Sequence, residues 1–190
     1  MLEQLLEWDR SLFLYLNQLG SEPYDFFWLL LSEKATNALI YLLLVFVYAQ
    51  KKGWKAALFL LVVGGAMVGI TDQLTNGFKY GVMRLRPCYT PELENLIRLV
   101  KASCGGQYSF FSGHSSNSFA LACLFGLYFR RIKWVMPTLF LVAGLIAYSR
   151  IYIGVHYPLD IICGALAGIL IAYLIYTLMN KWAGSSLSAY

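Results

Sequence analysis

Three short stretches of the chain carry residue types that could handle a phosphoryl group. They contain Lys79 with Arg86-Pro87, then Ser112-Gly113-His114, then Ser149-Arg150 followed by His156 and Asp160. Phosphoryl transfer requires cations on the equatorial oxygens, a nucleophile in line on one side, and an acid for the leaving oxygen on the other. The three stretches supply a candidate for every role, and they use both of the 2 histidines in the chain.

The third stretch predicts a histidine nucleophile oriented by a carboxylate. Pro158 suits the first turn of a helix, which puts Asp160 in that same turn, within reach of one nitrogen of the His156 imidazole. A carboxylate that fixes one nitrogen as the donor leaves the other nitrogen free to attack phosphorus. The alternative is an interfacial histidine beside a helix-capping aspartate.

The second stretch predicts a helix start that binds an anion. Ser112 can cap the helix, while the free backbone amides and the helix dipole point at phosphate. Gly113 has no side chain to block a close approach. His114 is the candidate general acid for the leaving oxygen, and afterwards the base that activates water. A simple helix cap would explain Ser112 alone.

The remaining cations predict a phosphate clamp. Arginine offers a planar fork of donors and lysine a compact charge, so Lys79, Arg86 and Arg150 can neutralise the transition state together. The outward segments lack carboxylates with metal-like spacing, so we expect neither a metal nor a cofactor. Lys79 could instead reach for the membrane interface. We expect Arg84, which lies outside the pattern, at the periphery, against lipid headgroups or the edge of the substrate.

Asp72 lies seven positions before Lys79, hence on the same helical face two turns deeper. Ionisable groups inside membranes are usually paired and functional. Asp72 could therefore support the clamp from below together with Gln73 and Asn76. The equal alternative is a polar contact between helices without a catalytic part.

The three stretches resemble the motifs of the type 2 phosphatidic acid phosphatase superfamily, which includes lipid phosphatases, bacterial acid phosphatases and vanadium haloperoxidases. The first motif, Lys, six residues, Arg-Pro, matches residues 79–87, and the third, Ser-Arg, five residues, His, three residues, Asp, matches residues 149–160. The second motif usually begins with proline, where this chain has Phe111. Family members form a phosphohistidine at the third-motif histidine, so the resemblance implies that role for His156.

The composition predicts an integral membrane protein with one domain. Of 190 residues, 59% are hydrophobic and only 13% are charged, far from the balance of soluble proteins. Apolar stretches long enough to span a bilayer lie at about 36–50, 56–78, 114–130, 134–152 and 159–180. The expected fold is an all-α bundle of five or six spans over residues 1–190.

Residues 1–33 predict a lead-in at the membrane interface. The first 20 residues interleave apolar and charged side chains, a pattern that suits an amphipathic helix lying in the interface, and they lack the features of a cleaved signal peptide. Residues 24–31 are apolar but end at Glu33 and Lys34. They form either a re-entrant or interfacial segment or an extension of the first span.

The basic residues predict the orientation. They cluster between the first two spans, between the third and fourth, and after the fifth, so they share one side, which the positive-inside rule makes cytoplasmic. These residues are Lys51, Lys52, Lys55, Arg130, Arg131, Lys133 and Lys181. The extracytoplasmic loop at residues 79–113 and the turn before Asp160 would then face the periplasm or the outside of a bacterial inner membrane. This topology and the motif cations account for the net charge of +5, so we expect no nucleic-acid partner.

The cysteines divide by location. Cys123 and Cys163 fall within predicted spans, as small buried hydrophobes. Cys88 and Cys104 both lie in the outward loop, where the oxidising compartment permits a disulfide that would hold Arg86 near Ser112. Two free thiols are the alternative, because the sequence does not give their geometry.

These observations predict a metal-independent lipid phosphatase whose partners are the bilayer and a lipid with a phosphate or pyrophosphate headgroup. The compact plan most resembles small bacterial undecaprenyl pyrophosphate phosphatases. Lipid A 1-phosphatases and phosphatidylglycerophosphate or phosphatidic acid phosphatases share the motifs. Alternatives of another class are a vanadate-binding peroxidase, whose relatives are soluble and larger, and a non-catalytic membrane scaffold. No pattern in the sequence indicates an oligomeric state.

Overall fold

The computed structural model describes residues 1–183, with side chains described as far as Lys181. Its seven α-helices are α1 (Leu2–Gln18), α2 (Asp25–Ser32), α3 (Lys34–Lys52), α4 (Trp54–Val82), α5 (Gly113–Tyr128), α6 (Val135–Tyr152) and α7 (Pro158–Ala183). The only β-pairing in this part of the chain is an isolated bridge between Leu85 and Tyr108. The predicted all-α class is therefore confirmed.

Helix α5 lies at the centre of the bundle and packs against α6 and α7. Gly164 and Gly168, one turn apart on α7, allow this close approach, because a Cβ atom at Gly164 would lie 2.6 Å from the Ser112 carbonyl oxygen. A cluster of buried apolar side chains from α3 to α7 fills the bundle, with Tyr48, Leu60 and Phe125 among its members. This packing fixes the start of α5 against the start of α7.

Within residues 1–183, three helices are long and apolar enough to cross a membrane. They are α4 over Trp54–Val82, α6 over Val135–Tyr152 and α7 over Pro158–Lys181. A fourth span results if Glu22–Ser32 and Lys34–Lys52, which meet at a bend of 57°, cross as one broken segment. Helix α5 forms where a span was predicted, but its 16 residues extend only about 24 Å, less than a typical hydrocarbon core. The count of five or six spans stays a prediction.

The N-terminal helix α1 packs one face against the protein. Asp9, Phe13 and Asn17 recur every four residues and are buried. The Phe13 ring meets the Tyr157 ring edge to face at 5.3 Å. The Asn17 amide donates to the carbonyl oxygens of Arg98, Ile151 and Tyr152, each at 3.0 Å. Phe13 thus contacts the turn before α7, whereas the sequence pattern predicted that the apolar side chains of this helix lie in the interface.

The exposed side of α1 carries a stripe of large apolar residues. These are Leu2, Leu5, Trp8, Leu12 and Tyr15, and Leu19 directly after the helix continues the stripe. The helix thus has a protein-facing side and a separate apolar side, the second of which has the pattern of an interfacial helix.

The segment between α4 and α5 is shorter than predicted, because both flanking helices extend into it. Helix α4 continues to Val82 and ends at Met83, whose φ of 50° is left-handed, so Lys79 belongs to its last turn. Gly113 is the first residue of α5. Within the segment Cys88 is bonded to Cys104, with the two Cα atoms 6.3 Å apart, which is one of the two alternatives that the sequence left open.

Candidate active site

A polar cavity of ≈ 390 Å³ lies where the end of α4, the start of α5 and the turn between α6 and α7 meet. Its walls include seven residues predicted from the sequence: Asp72, Lys79, Arg86, Gly113, His114, Arg150 and His156. Residues from three separate stretches thus face one space. Ser112 and Asp160 do not line the cavity, but are fully buried behind it.

His156 occupies the turn before α7 and is only 2% exposed. Its Nδ1 lies 3.3 Å from Oδ2 of Asp160, which also accepts from the Tyr157 amide at 2.9 Å. Burial, followed by the charges of Arg86, Arg150 and Lys79, lowers the pKa of the His156 imidazole well below its usual range. The ring is therefore neutral, and a proton on Nδ1 leaves the lone pair on Nε2.

Ser112 joins the second and third stretches. Its backbone amide donates to the Asp160 carbonyl oxygen at 3.0 Å, and its hydroxyl accepts from the Ser115 amide at 3.5 Å as the predicted N-cap. Phe111, in the position of the usual proline, is buried and packs against Phe78 with ring centroids 5.2 Å apart. The start of α5 is therefore held by both hydrogen bonds and aromatic packing.

His114 faces the cavity from the first turn of α5 and contacts the break between α2 and α3. Its Nε2 lies 3.0 Å from the carbonyl oxygen of Ser32, and since a carbonyl only accepts, Nε2 is the donor. The Ser32 hydroxyl also bonds to Nη1 of Arg150. Ser32 thus orients one member of the second stretch and one of the third, a role that the sequence analysis missed.

The two clamp arginines are buried at 7% exposure for Arg86 and 5% for Arg150. Arg86 donates from Nη1 to the Cys104 carbonyl oxygen at 2.6 Å and from Nε to that of Tyr108 at 3.3 Å, so the disulfide-bonded loop holds it. Among the residues that the structure describes, Nε of Arg150 has no hydrogen-bond partner. Buried cations without paired carboxylates form a site for an anion.

Lys34 and Lys101 also line the polar cavity. They bring the number of basic side chains around it to five, against one lining carboxylate, Asp72. Neither belongs to the three stretches, and a cation near a helix start or in a loop has no distinguishing signal in a single sequence. The cavity therefore carries more positive charge than the motif residues Lys79, Arg86 and Arg150 provide.

Asp72 contacts α5. The sequence left open whether Asp72, with Gln73 and Asn76, supports the clamp or only joins two helices. Its Oδ1 accepts from the Asn117 amide at 2.8 Å, and the Asn117 carbonyl oxygen is bonded to Thr71. Asn76 lines the cavity as well. The carboxylate is thus a polar contact between two helices and part of the cavity wall.

Arg84 is not peripheral as expected. Its guanidinium pairs with Asp9 at 2.6 Å and with Asp160 at 3.1 Å, and it lies 4.0 Å from the centroid of the Tyr157 ring. The side chain is therefore part of the support behind His156. The expectation failed because Asp9 approaches from α1, which sequence spacing does not reveal.

Two adjoining apolar cavities of ≈ 210 and ≈ 270 Å³ extend from the polar one between α3, α4 and α5. We call them together the apolar groove. The first shares Lys34, Asp72, His114 and Asn117 with the polar cavity. The groove continues along Ala38, Tyr41, Leu42, Val45, Leu60, Leu61, Gly64, Gly65, Val68, Leu121 and Phe125. An apolar chain attached to a bound phosphate could lie in this space.

Comparison with known proteins agrees with this geometry. Residues 55–183 match the PAP2 superfamily. A lipid A 4'-phosphatase from Porphyromonas gingivalis is 36% identical over 196 residues, covering 100% of this chain and 82% of the relative. A lipid A 4'-phosphatase from Bacteroides thetaiotaomicron is 32% identical over 184 residues, covering 95% and 81%.

The fold also matches a solved structure. A transmembrane PAP2 type phosphatidylglycerolphosphate phosphatase from Bacillus subtilis superposes with a TM-score of 0.72 at 18% identity, covering 94% of this chain and 87% of the other. The motif residues, the apolar helices and the relatives thus agree. The chain belongs to the PAP2 superfamily and is an integral membrane lipid phosphatase.

Proposed function

We propose that the protein hydrolyses a phosphate ester on a membrane lipid through a phosphohistidine at His156, without a metal ion. The observation that carries this proposal is a buried His156 held by Asp160 in a cavity walled by Lys79, Arg86 and Arg150. Such an imidazole is a competent nucleophile, and the cations can bind the oxygens of the phosphoryl group.

In the first step Nε2 of His156 attacks phosphorus, and the bond to the lipid oxygen breaks. The clamp cations stabilise the charge on the equatorial oxygens, while Asp160 stabilises the imidazolium that forms. His114, in its protonated form, gives a proton to the leaving oxygen. In the free site, burial, followed by the charge of Arg150, lowers the pKa of the His114 imidazole to about 2. The bound phosphate counters this shift and favours the protonated form, because an anion beside an imidazole raises its proton affinity.

In the second step neutral His114 takes a proton from water, whose oxygen attacks the phosphohistidine. The bond between phosphorus and Nε2 of His156 breaks, inorganic phosphate leaves, and His114 is again protonated for the next turnover. Both steps use the same clamp, so the site needs no rearrangement between them.

The intermediate gives the direct test. We expect purified protein in detergent micelles to release phosphate from lipid in the presence of a chelator, and brief mixing with phosphate-labelled lipid to leave an acid-labile, base-stable label on the peptide containing His156. Release without any such label in single-turnover experiments would replace the covalent route with direct attack by water.

For the substrate we place the 4'-phosphate of lipid A first. The two relatives described above span nearly the whole chain and are named for this phosphomonoester. The apolar groove supports a lipid of this kind, because acyl chains can lie between α3 and α4 while the phosphate reaches the polar cavity.

Undecaprenyl pyrophosphate, which the sequence analysis favoured, is the second candidate. Lys34 and Lys101 add two cations to the three of the clamp, and a pyrophosphate carries a second phosphate group for them to bind. A panel of lipid A, undecaprenyl pyrophosphate, phosphatidylglycerophosphate and phosphatidic acid at equal micellar concentrations decides between them. We expect the highest kcat/KM on lipid A, and a preference for the pyrophosphate would reverse the order.

We propose that α1 lies in the membrane interface through its exposed apolar stripe, and that the active site opens on the outer face of an inner membrane. Lys51, Lys52 and Lys55 then face the cytoplasm. The test uses single cysteines at Glu92 and Lys55, both exposed, with Cys123 and Cys163 replaced by alanine and the disulfide retained. An impermeant thiol reagent should label position 92 in intact cells and position 55 only after lysis. The reverse pattern would put the site on the cytoplasmic face.

A further inference from the structure

A buried carboxylate on α1 lies close to the catalytic residues without belonging to any of the three motifs. Asp9 is 4% exposed, and its Oδ2 pairs with Nη2 of Arg84 at 2.6 Å. Its other oxygen, Oδ1, accepts from the Leu159 amide at 2.8 Å. Leu159 lies in the first turn of α7, where backbone amides have no partner within the helix. Asp9 therefore holds the start of α7 from outside.

Arg84 carries this contact to the catalytic carboxylate. Its second terminal nitrogen, Nη1, lies 3.1 Å from Oδ1 of Asp160, while Oδ2 of Asp160 faces His156 and the Tyr157 amide. The guanidinium also stacks over the Tyr157 ring. One planar fork thus joins two carboxylates, an arrangement that a single ammonium cannot reproduce.

We propose that Asp9 is a positioning residue of the active site, which anchors Arg84 so that Arg84 holds the Asp160 carboxylate against His156. With both nitrogens engaged, the guanidinium has one orientation, and so has the carboxylate it binds. The rotation of Asp160 in turn decides which nitrogen of His156 carries the proton and where Nε2 points. A displacement of about an ångström in such a group costs much of its catalytic effect.

The cost of burying Asp9 favours this role over docking alone. Burial raises the pKa of the Asp9 carboxyl group, although Arg84 and the Leu159 amide both favour its charged form. Docking of α1 is already provided by Phe13 and by Asn17, whose side chain makes four hydrogen bonds to backbone groups. A buried charge is an expensive addition to a contact that neutral groups already make.

The inference rests on the proposed function, because it assigns Asp9 to the orientation of the His156 nucleophile. Phosphoenzyme trapping on the wild-type protein tests that function separately. If the wild type forms no phosphohistidine, the proposed function fails, whereas a wild type that forms one and an Asp9 variant that forms it equally fast contradict only the inference.

The main variant is Asp9→Asn, because the amide oxygen can still accept from Leu159 while the charge that holds Arg84 is lost. We expect the rate of phosphoenzyme formation and kcat to fall roughly tenfold, about the effect of a modest misplacement, with KM unchanged within about twofold. Glu7→Gln, an exposed acid on the same helix, is the matched control and should equal wild type. Asn17→Ala is the docking control and should lower Tm without a selective loss of kcat.

A double-mutant cycle with Arg84→Gln then tests the route. If Asp9 acts through Arg84, adding Asp9→Asn to Arg84→Gln should lower kcat by less than about twofold more. Arg84→Lys keeps a positive charge at position 84 but lacks the planar fork that binds two carboxylates at once. It should therefore behave like Arg84→Gln. The proposal is overturned if Asp9→Asn or Arg84→Lys keeps full kcat, or if the losses in the cycle are additive. It is also overturned if the loss of kcat in Asp9→Asn only accompanies a lower Tm, as in Asn17→Ala.

Discussion

The polar cavity and the apolar groove share four wall residues, yet their other walls differ in kind. In the polar cavity the reactive side chains are held by specific partners: His156 by Asp160, Arg86 by the Cys104 carbonyl, and Arg150 by Ser32. In the groove Gly64, Gly65 and Ala38 leave space between helices, and the other lining residues are mostly apolar. The reaction depends on the wall of the polar cavity, whereas the fit of the lipid depends on the wall of the groove.

This difference explains why the residues indicate the class of activity more clearly than the substrate. A phosphoryl group demands particular chemical groups at particular positions, so the polar wall tolerates few substitutions. An apolar chain demands only volume, which many combinations of residues can provide. Variants of the polar wall should therefore cause large losses on every substrate, and variants of the groove small losses that depend on the lipid.

The largest loss should follow His156→Ala. Removing the nucleophile leaves the clamp and the helix dipole intact, so we expect kcat to fall by about 10⁴ or more, with lipid binding and Tm close to wild type. The phosphoenzyme should disappear as well. Because the substitution leaves room for a small heterocycle beside Asp160, added imidazole should restore part of the activity. Retention of more than a tenth of wild-type kcat would remove His156 from the mechanism.

The next largest effect should follow His114→Gln. Glutamine can still donate to the Ser32 carbonyl, but it cannot exchange protons, so we expect kcat on lipid to fall by about 10²–10⁴. With an aryl phosphate, whose leaving group needs no proton, the first step should be spared and the phosphoenzyme should accumulate. Equal losses on lipid and aryl phosphate, without accumulation, would mean that His114 only binds phosphate.

Breaking the disulfide should produce an intermediate loss. Cys88→Ser frees the segment whose Cys104 carbonyl accepts from Arg86. We expect a roughly tenfold fall in kcat/KM, as for a displaced clamp residue, and a loss of up to about 3 kcal/mol of stability on the chain-entropy estimate. Cys104→Ser should match it, and the double variant should add little.

The control for that experiment is Cys163→Ser, a free cysteine outside the loop, which should leave kcat/KM unchanged. Mass spectrometry of unreduced wild type should recover the two loop peptides linked. Recovery of Cys88 and Cys104 as free thiols, from protein made in an oxidising compartment, would contradict the pairing.

Much of the polar wall was predictable because its spacing is local. Asp160 lies four positions after His156 and reaches its imidazole, and Ser112 caps α5, which starts at the next residue. Contacts between distant stretches were not predictable: Arg84 lies 75 positions from Asp9, and Ser32 lies 118 from Arg150. Helical periodicity reports which residues share a face, but not which face of another helix they meet.

The helices themselves were predictable from their apolar lengths. Helix α5 (Gly113–Tyr128) begins and ends within two residues of the predicted 114–130, and the Ser112 cap lies at its start. The groove had no sequence signal at all. Two consecutive glycines such as Gly64 and Gly65 fit many transmembrane helices. They line a cavity here only because α3 and α4 are separated.

The smallest effect, and the one that depends on the lipid, should follow Gly65→Leu. A Cβ atom at Gly65 meets nothing within 4 Å, so the larger side chain can enter the groove without displacing the backbone. Leucine is also the better helix former, by up to about 1 kcal/mol, so stability should not fall. We expect kcat/KM on a long-chain lipid to drop by about fivefold to tenfold, near the lower end of the roughly 1–3 kcal/mol by which hydrophobic pockets discriminate per group.

Gly69→Leu supplies the matched control, because it lies one turn further along α4, also in open space, but does not line the groove. It should leave kcat/KM unchanged on every substrate. A short-chain, water-soluble phosphate should be hydrolysed equally well by wild type and both variants, because it does not occupy the groove. If Gly65→Leu slows short and long substrates alike, the leucine acts on the polar wall, and the lipid chain must lie elsewhere. Equal kcat/KM on long-chain lipid for Gly65→Leu and wild type would likewise remove the groove from substrate binding.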